Sequence, residues 1–313
     1  MKKWMRALLA LAWAGTMLCC TACSGGGSDT RTVQTVQEEV TEPREPRERT
    51  EVAEASFHED AAESYDWGSI DFSATAQGYV AVKAYSDAGL KFQVTCSEET
   101  YTYDLPGDGT PAILPMNMGS GEYSFALFQQ AEGTKYTQEW NGTWTVELED
   151  EFQPFLRPSQ IVNDTPQSQC VQRAWELTEF CQSDVEMAGA VYDTLAQGIS
   201  YDFDKAATVQ GGYLPDPDCT LAQGTGICFD YVSLAAAMLR SQGVPCQVIT
   251  GYVGPEEIYH AWNRIYLKTE GWVSVEIKAP KDNWKRVDIT FASCGAPADE
   301  LEDDTRYTTR YTY

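Results

Sequence analysis

The chain has 313 residues, room for two ordinary domains, and its 43% hydrophobic and 12% aromatic content is enough for packed cores. Its formal net charge of -25 repels phosphate backbones and anionic headgroups, and no basic patch with interleaved aromatics offsets that field. A nucleic-acid partner is therefore not expected, whereas basic protein substrates are tolerated.

Lys2, Lys3 and Arg6 form a positive start, and residues 7–18 form an apolar stretch too short to span a bilayer comfortably. Cys20-Thr21-Ala22-Cys23, followed by Ser24-Gly25-Gly26-Gly27, resembles the lipobox of bacterial lipoproteins, with Cys20 standing where that family prefers Leu. The resemblance implies a signal peptide over 1–22, lipidation at Cys23, and an extracytoplasmic protein anchored to the cell membrane. Residues 23–64 are rich in Glu, Thr, Arg and Gln and carry Pro43 and Pro46. With no sustained apolar period they read as a disordered tether that supplies reach.

From 65 to 150 the pattern alternates, as in Tyr79-Val80-Ala81-Val82, Leu90-Lys91-Phe92-Gln93-Val94, Tyr123-Ser124-Phe125 and Thr143-Trp144-Thr145-Val146, with glycine-rich turns between. Short strands so spaced predict a small β-sandwich, either a binding module for carbohydrate or protein or a structural spacer. Residues 151–298 change to a mixed pattern. Helices are predicted over 171–181, from an Asp184 cap to Gly198, and over 228–241 before Gly243 and Pro245. Strands are predicted over 247–253, 259–267, 272–278 and 284–289, giving an α+β domain. Residues 299–313 read as an acidic tail.

Two segments carry chemistry. In Thr225-Gly226-Ile227-Cys228-Phe229-Asp230-Tyr231 a glycine turn delivers a cysteine to the first turn of an apolar helix. There the helix dipole and unpaired N–H groups favour a thiolate and an oxyanion. Local pattern alone equally allows a cysteine that merely packs a helix start. The second segment is Tyr259-His260-Ala261-Trp262-Asn263. His260 and His58 are the two histidines of the chain, and His58 falls in the tether, so His260 is the imidazole available to activate Cys228. A carboxylate must orient that ring, and both Glu276 and Asp288 lie in strands predicted after it.

The order Gly-x-Cys-x-x-Tyr, His-Ala-Trp-Asn and Trp-x-x-Val-Asp-x-Thr-Phe resembles the bacterial transglutaminase-like superfamily, over 167–294 and including Ile199-Ser200-Tyr201-Asp202. The resemblance implies a papain-related core with a Cys–His–Asp triad falling on Cys228, His260 and Asp288. The additional strand before Asp288 keeps Glu276 as an alternative. It further implies thiol acyl transfer, either protein crosslinking or amide hydrolysis, on a protein or peptide. The competing expectation is a non-catalytic surface module whose triad is vestigial. The other cysteines of the globular part (Cys96, Cys170, Cys181, Cys219, Cys246 and Cys294) are even in number, which export would permit to form disulfides. No zinc spacing or phosphate loop is present, and no cofactor is expected.

Overall fold

A computed structural model describes residues 44–253, 257–275 and 307–313. The alternating first half forms β1 (Glu63–Tyr65), β2 (Gly68–Asp71), β3 (Tyr79–Ala84), β4 (Leu90–Cys96), β5 (Glu99–Leu105), β6 (Ala112–Pro115), β7 (Gly121–Glu132) and β8 (Lys135–Val146). They sort into two four-stranded sheets, β1-β2-β3-β6 and β5-β4-β7-β8, and every pairing is antiparallel. β4 shows why: Leu90, Phe92, Val94 and Cys96 are buried while Lys91, Gln93 and Thr95 between them are half-buried, the period of a strand with one face in a core. Ile70, Val80, Val82 and Leu114 join Phe92, Val94, Phe125 and Leu127 in that core.

The second half contains α1 (Gln169–Thr178), α2 (Asp184–Gly198), β9 (Ser200–Tyr201), α3 (Phe203–Thr208), α4 (Pro217–Gln223), β10 (Thr225–Gly226) and α5 (Cys228–Arg240). β11 (Cys246–Val253), β12 (Ile258–Leu267), β13 (Gly271–Val275) and β14 (Tyr307–Thr312) follow. These four strands form an antiparallel sheet in the order β13-β12-β11-β14. From Asp230 to Arg240 every residue of α5 is buried, because the helix is enclosed by the sheet on one side and by α1, α2 and α4 on the other. A helix apolar all round is a buried helix.

Three sequence expectations need correction. Residues 44–62, assigned to a disordered tether, lie as an ordered strap. Arg47 donates to Thr178 O at 3.0 Å and to Gln242 Oε1, and its guanidinium sits 4.9 Å over the Trp175 ring. Arg157 donates to Glu54 O at 2.8 Å, and His58 N–H donates to the buried Asp71 Oδ2 at 2.7 Å. Composition counts apolar residues, but this strap is held by single long-range polar contacts together with Val52, Ala55 and Phe57, which pack against the cores. Next, α2 is capped by Ser183, whose Oγ accepts from Glu186 N–H at 3.2 Å, while Asp184 is the first helical residue. Finally, the end of the acidic tail is β14. Its alternation of Tyr and Thr suits a strand, and Tyr313 exchanges two 2.7 Å backbone hydrogen bonds with Val248. Tyr311 and Tyr313 pack 5.3 and 5.5 Å from Tyr101, fastening this sheet to the sandwich.

Cys96, Cys170, Cys181, Cys219, Cys228 and Cys246 are all free thiols; Cys294 and the predicted strand over 284–289 lie outside the described residues. Burial pushes the Cys246 thiol up to about 12. Among the described residues no helix is long and apolar enough to cross a membrane.

Asp164 gives the core a pH signature. Its Oδ1 is buried without a partner among the described residues. Burial, reinforced by Asp218 and opposed by Arg240, raises it from 3.8 to about 7. The folded state therefore holds this proton more tightly than the unfolded chain. Its stabilising contribution is complete below the unfolded value and is lost as pH rises through about 7. Asp164→Asn should accordingly stabilise the protein at pH ~8 by up to roughly 4 kcal/mol relative to wild type, and scarcely at pH ~4. Urea melts at the two pH values measure the difference.

Candidate active site

Each residue of the Gly-x-Cys-x-x-Tyr segment has a structural reason. β9 and β10 pair in parallel, Ser200 with Thr225 and Tyr201 with Gly226, and this short pair leads directly into α5. A Cβ at Gly226 would stand 2.7 Å from Asp230 Cβ and 3.1 Å from its Oδ2, so the turn accepts no side chain there. Asp230 accepts the Ile227 N–H at 2.8 Å, satisfying a donor ahead of the first turn. Tyr231 donates to Ile199 O at 2.6 Å and ties α5 to the residue between α2 and β9. Cys228 is thereby fixed as the first residue of α5, where backbone N–H groups lack intrahelical partners and the positive end of the helix favours an anion.

His260 lies on β12 opposite Gly251 of β11. A Cβ at Gly251 would stand 2.1 Å from Thr308 O, so only glycine lets β14 approach here. The neighbouring motif residues set the strand: Ala261 and Asn263 are buried, and Asn263 Nδ2 donates to Val232 O at 3.0 Å and Gln247 O at 3.1 Å. That amide pins β12 to α5. Trp262 is buried against Tyr307, with ring centroids 5.2 Å apart.

Cys228 and His260 open into one cavity of about 490 Å³. Tyr201 and Tyr213 also line it, as do Asp104 of β5 and Tyr311 of β14, so the sandwich supplies part of the wall. The Tyr201 hydroxyl is held up from its ordinary value by burial first and then by the Cys228 thiol beside it, while the Cys228 backbone N–H acts in the opposite sense. The sequence had placed Tyr201 inside a recognisable segment without giving it a role; its position against the thiol depends on the two-residue β9–β10 pairing, which leaves no periodicity to read. Glu276, Asp288 and Cys23 lie outside the described residues. Among the described residues no group of His, Cys, Asp and Glu could hold a metal ion.

Residues 171–277 match the family model described as Transglutaminase-like superfamily, so α5, β11 to β13 and the cysteine and histidine segments lie in a transglutaminase-like core. No curated protein matches the chain. Among solved structures, a candidate cysteine protease of Cytophaga hutchinsonii is similar at 12% identity and a TM-score of 0.38, covering 75% of this chain and 79% of that one. A candidate protease of Parabacteroides distasonis is similar at 14% identity and 0.31, over 64% of this chain and 40% of that one. Red sea bream transglutaminase is similar at 11% and 0.30, over 67% and 49%. Overlaps this loose do not define a common whole-chain architecture.

Proposed function

We propose that the chain is a thiol acyl-transfer enzyme acting on carboxamide or peptide bonds of proteins or peptides. The observation that carries this reading is the shared cavity of Cys228, at the start of α5, and His260, on β12, within the family-matched segment. The Cys228 thiolate attacks the carbonyl carbon, a C–S bond forms, and the oxygen becomes an anion. Tyr201 O–H and the N–H groups at the start of α5 receive that anion. His260 gives a proton to the nitrogen leaving group as the C–N bond breaks, leaving a thioester. An amine or water then attacks the thioester, His260 takes its proton, and Cys228 leaves as thiolate. Asp288 is proposed to hold the imidazole, with Glu276 as the alternative. The address is also a proposal: lipidation at Cys23 would tether the enzyme outside the membrane and present it to extracytoplasmic proteins or peptidoglycan peptides.

The test is the pH dependence of iodoacetamide labelling with peptide mapping. Wild type should label selectively at Cys228 near pH ~6, because only the thiolate reacts. His260→Ala should lose that labelling or shift it alkaline. Labelling that is absent, or indifferent to the substitution, would leave the non-catalytic surface-module reading in possession.

A further inference from the structure

Two residues beyond Cys228, the fully buried carboxylate of Asp230 gathers three donors: Ile227 N–H at 2.8 Å, Lys205 Nζ at 2.6 Å and Tyr213 O–H at 2.5 Å. Lys205 Nζ also donates to Tyr213 Oη at 2.7 Å, closing a triangle. Lys205 belongs to α3 and Tyr213 to the loop before α4, and between them Ala206, Val209, Gln210, Gly211 and Gly212 line the cavity. One wall of the site is therefore attached, near both ends, to a single side chain on the nucleophile helix.

Apart from a Tyr201–Phe203 ring contact at 4.9 Å, that wall buries little of its side-chain surface. α3 is six residues long and buries none of them, far below the length at which a helix stands alone. Val209 and Leu214 are exposed, as are Gly211 and Gly212. Few buried apolar contacts mark a segment that opens easily unless it is fastened.

The charges are balanced as well. An anion two residues along α5 from Cys228 would oppose a second anion on sulfur, and the ammonium in direct contact with it would offset that field. The other ionisable groups around the cavity are Tyr201 of β9, Tyr259 and His260 of β12, Tyr311 of β14 and Tyr313 after it, and Tyr103 and Asp104 of β5, the latter pairing with Lys91 at 2.6 Å.

We propose that Lys205, Tyr213 and Asp230 form a charge-balanced latch that seats the 203–214 wall of the acyl-binding cleft on the nucleophile helix, with Lys205 cancelling the field of Asp230 at the sulfur. All three are positioning residues, and the proposal rests on Cys228 being the nucleophile. It predicts opposite signs for its two charged members. In the full chain, Lys205→Met moves the pH midpoint of Cys228 alkylation alkaline, so that one unit below the wild-type midpoint labelling slows by about 3–10-fold. Asp230→Asn moves the midpoint acid by a comparable amount, and the double variant returns toward wild type. Tyr213→Phe changes no charge: the midpoint stays, while cleavage by thermolysin within 203–214 accelerates by about 3–10-fold. Should Asp230→Asn fail to fold, an alkaline shift in Lys205→Met without one in Tyr213→Phe still supports the latch. Midpoints that move in the same direction in all variants, or not at all, overturn it. Wild type that never labels at Cys228 removes the enzyme reading itself, a distinct result.

Discussion

Cys228→Ala should abolish turnover, and His260→Ala should lower kcat/KM by about 10²–10⁴-fold, the usual contribution of a positioned acid–base group. The assay is ammonia release from a glutaminyl peptide, with and without a primary amine acceptor, run beside peptide-bond cleavage. On the proposed mechanism the loss should fall on kcat rather than KM, since the imidazole would act on the proton in flight and hold no remote part of the substrate. Cys228→Ser should be nearly as inactive, because a serine hydroxyl is far harder to ionise at neutral pH than a thiol. The same assay assigns the third member. Asp288→Asn should mimic most of the His260→Ala loss and Glu276→Gln little of it; the reverse pattern would transfer the orienting role to Glu276. Full turnover in His260→Ala would sink the acyl-transfer mechanism outright. The acceptor series separates crosslinking from hydrolysis, a choice that depends on whether an amine or water reaches the thioester first.

The sites that sequence could mark are those where periodicity and chemistry coincide. Cys228 stands out because glycine, cysteine and an apolar run fall together, and the structure explains each: Gly226 has no room for a Cβ, Tyr231 ties two elements, and the run is the wholly buried α5. His260 stands out because imidazole is scarce and its strand alternates. The sandwich is legible for the same reason, in the period of β4 and β7. What escaped has no period. The strap over 44–62 depends on single long-range polar contacts such as Arg47 with Thr178 and Arg157 with Glu54. β14 is one short strand behind an acidic run, and it becomes a strand because β11 offers an unpaired edge. Lys205 and Tyr213 reach Asp230 across 25 and 17 residues, distances at which no local pattern speaks.

Arg240→Met should cost about 3–5 kcal/mol of stability while leaving the chemistry of Cys228 intact well below the melting temperature. Arg240 is the last residue of α5 and only 3% exposed. Its fork donates to Cys246 O at 2.9 Å, Arg157 O at 2.8 Å and Tyr313 O at 3.2 Å. One side chain thus joins the helix, β11, the segment leaving the sandwich, and the residue that follows β14. Burial pulls it down to about 10, Cys246 and Asp164 opposing, so it stays charged at neutral pH and uses charge-assisted bonds. Methionine fills similar volume but removes the donor from the Cys246 and Arg157 carbonyls, while Tyr313 O keeps the Val248 N–H. Arg240→Lys should recover only part of the loss, because a single ammonium cannot span three diverging acceptors. Function should be spared because α5 has 13 residues, so its two ends stand roughly 18 Å apart at about 1.5 Å per residue. Urea melts give the free energy, and Cys228 labelling at 20–25 °C gives the site. A loss below about 1 kcal/mol would mean that water replaces the guanidinium, leaving the tyrosine cluster of β5 and β14 as the main tie between sandwich and core.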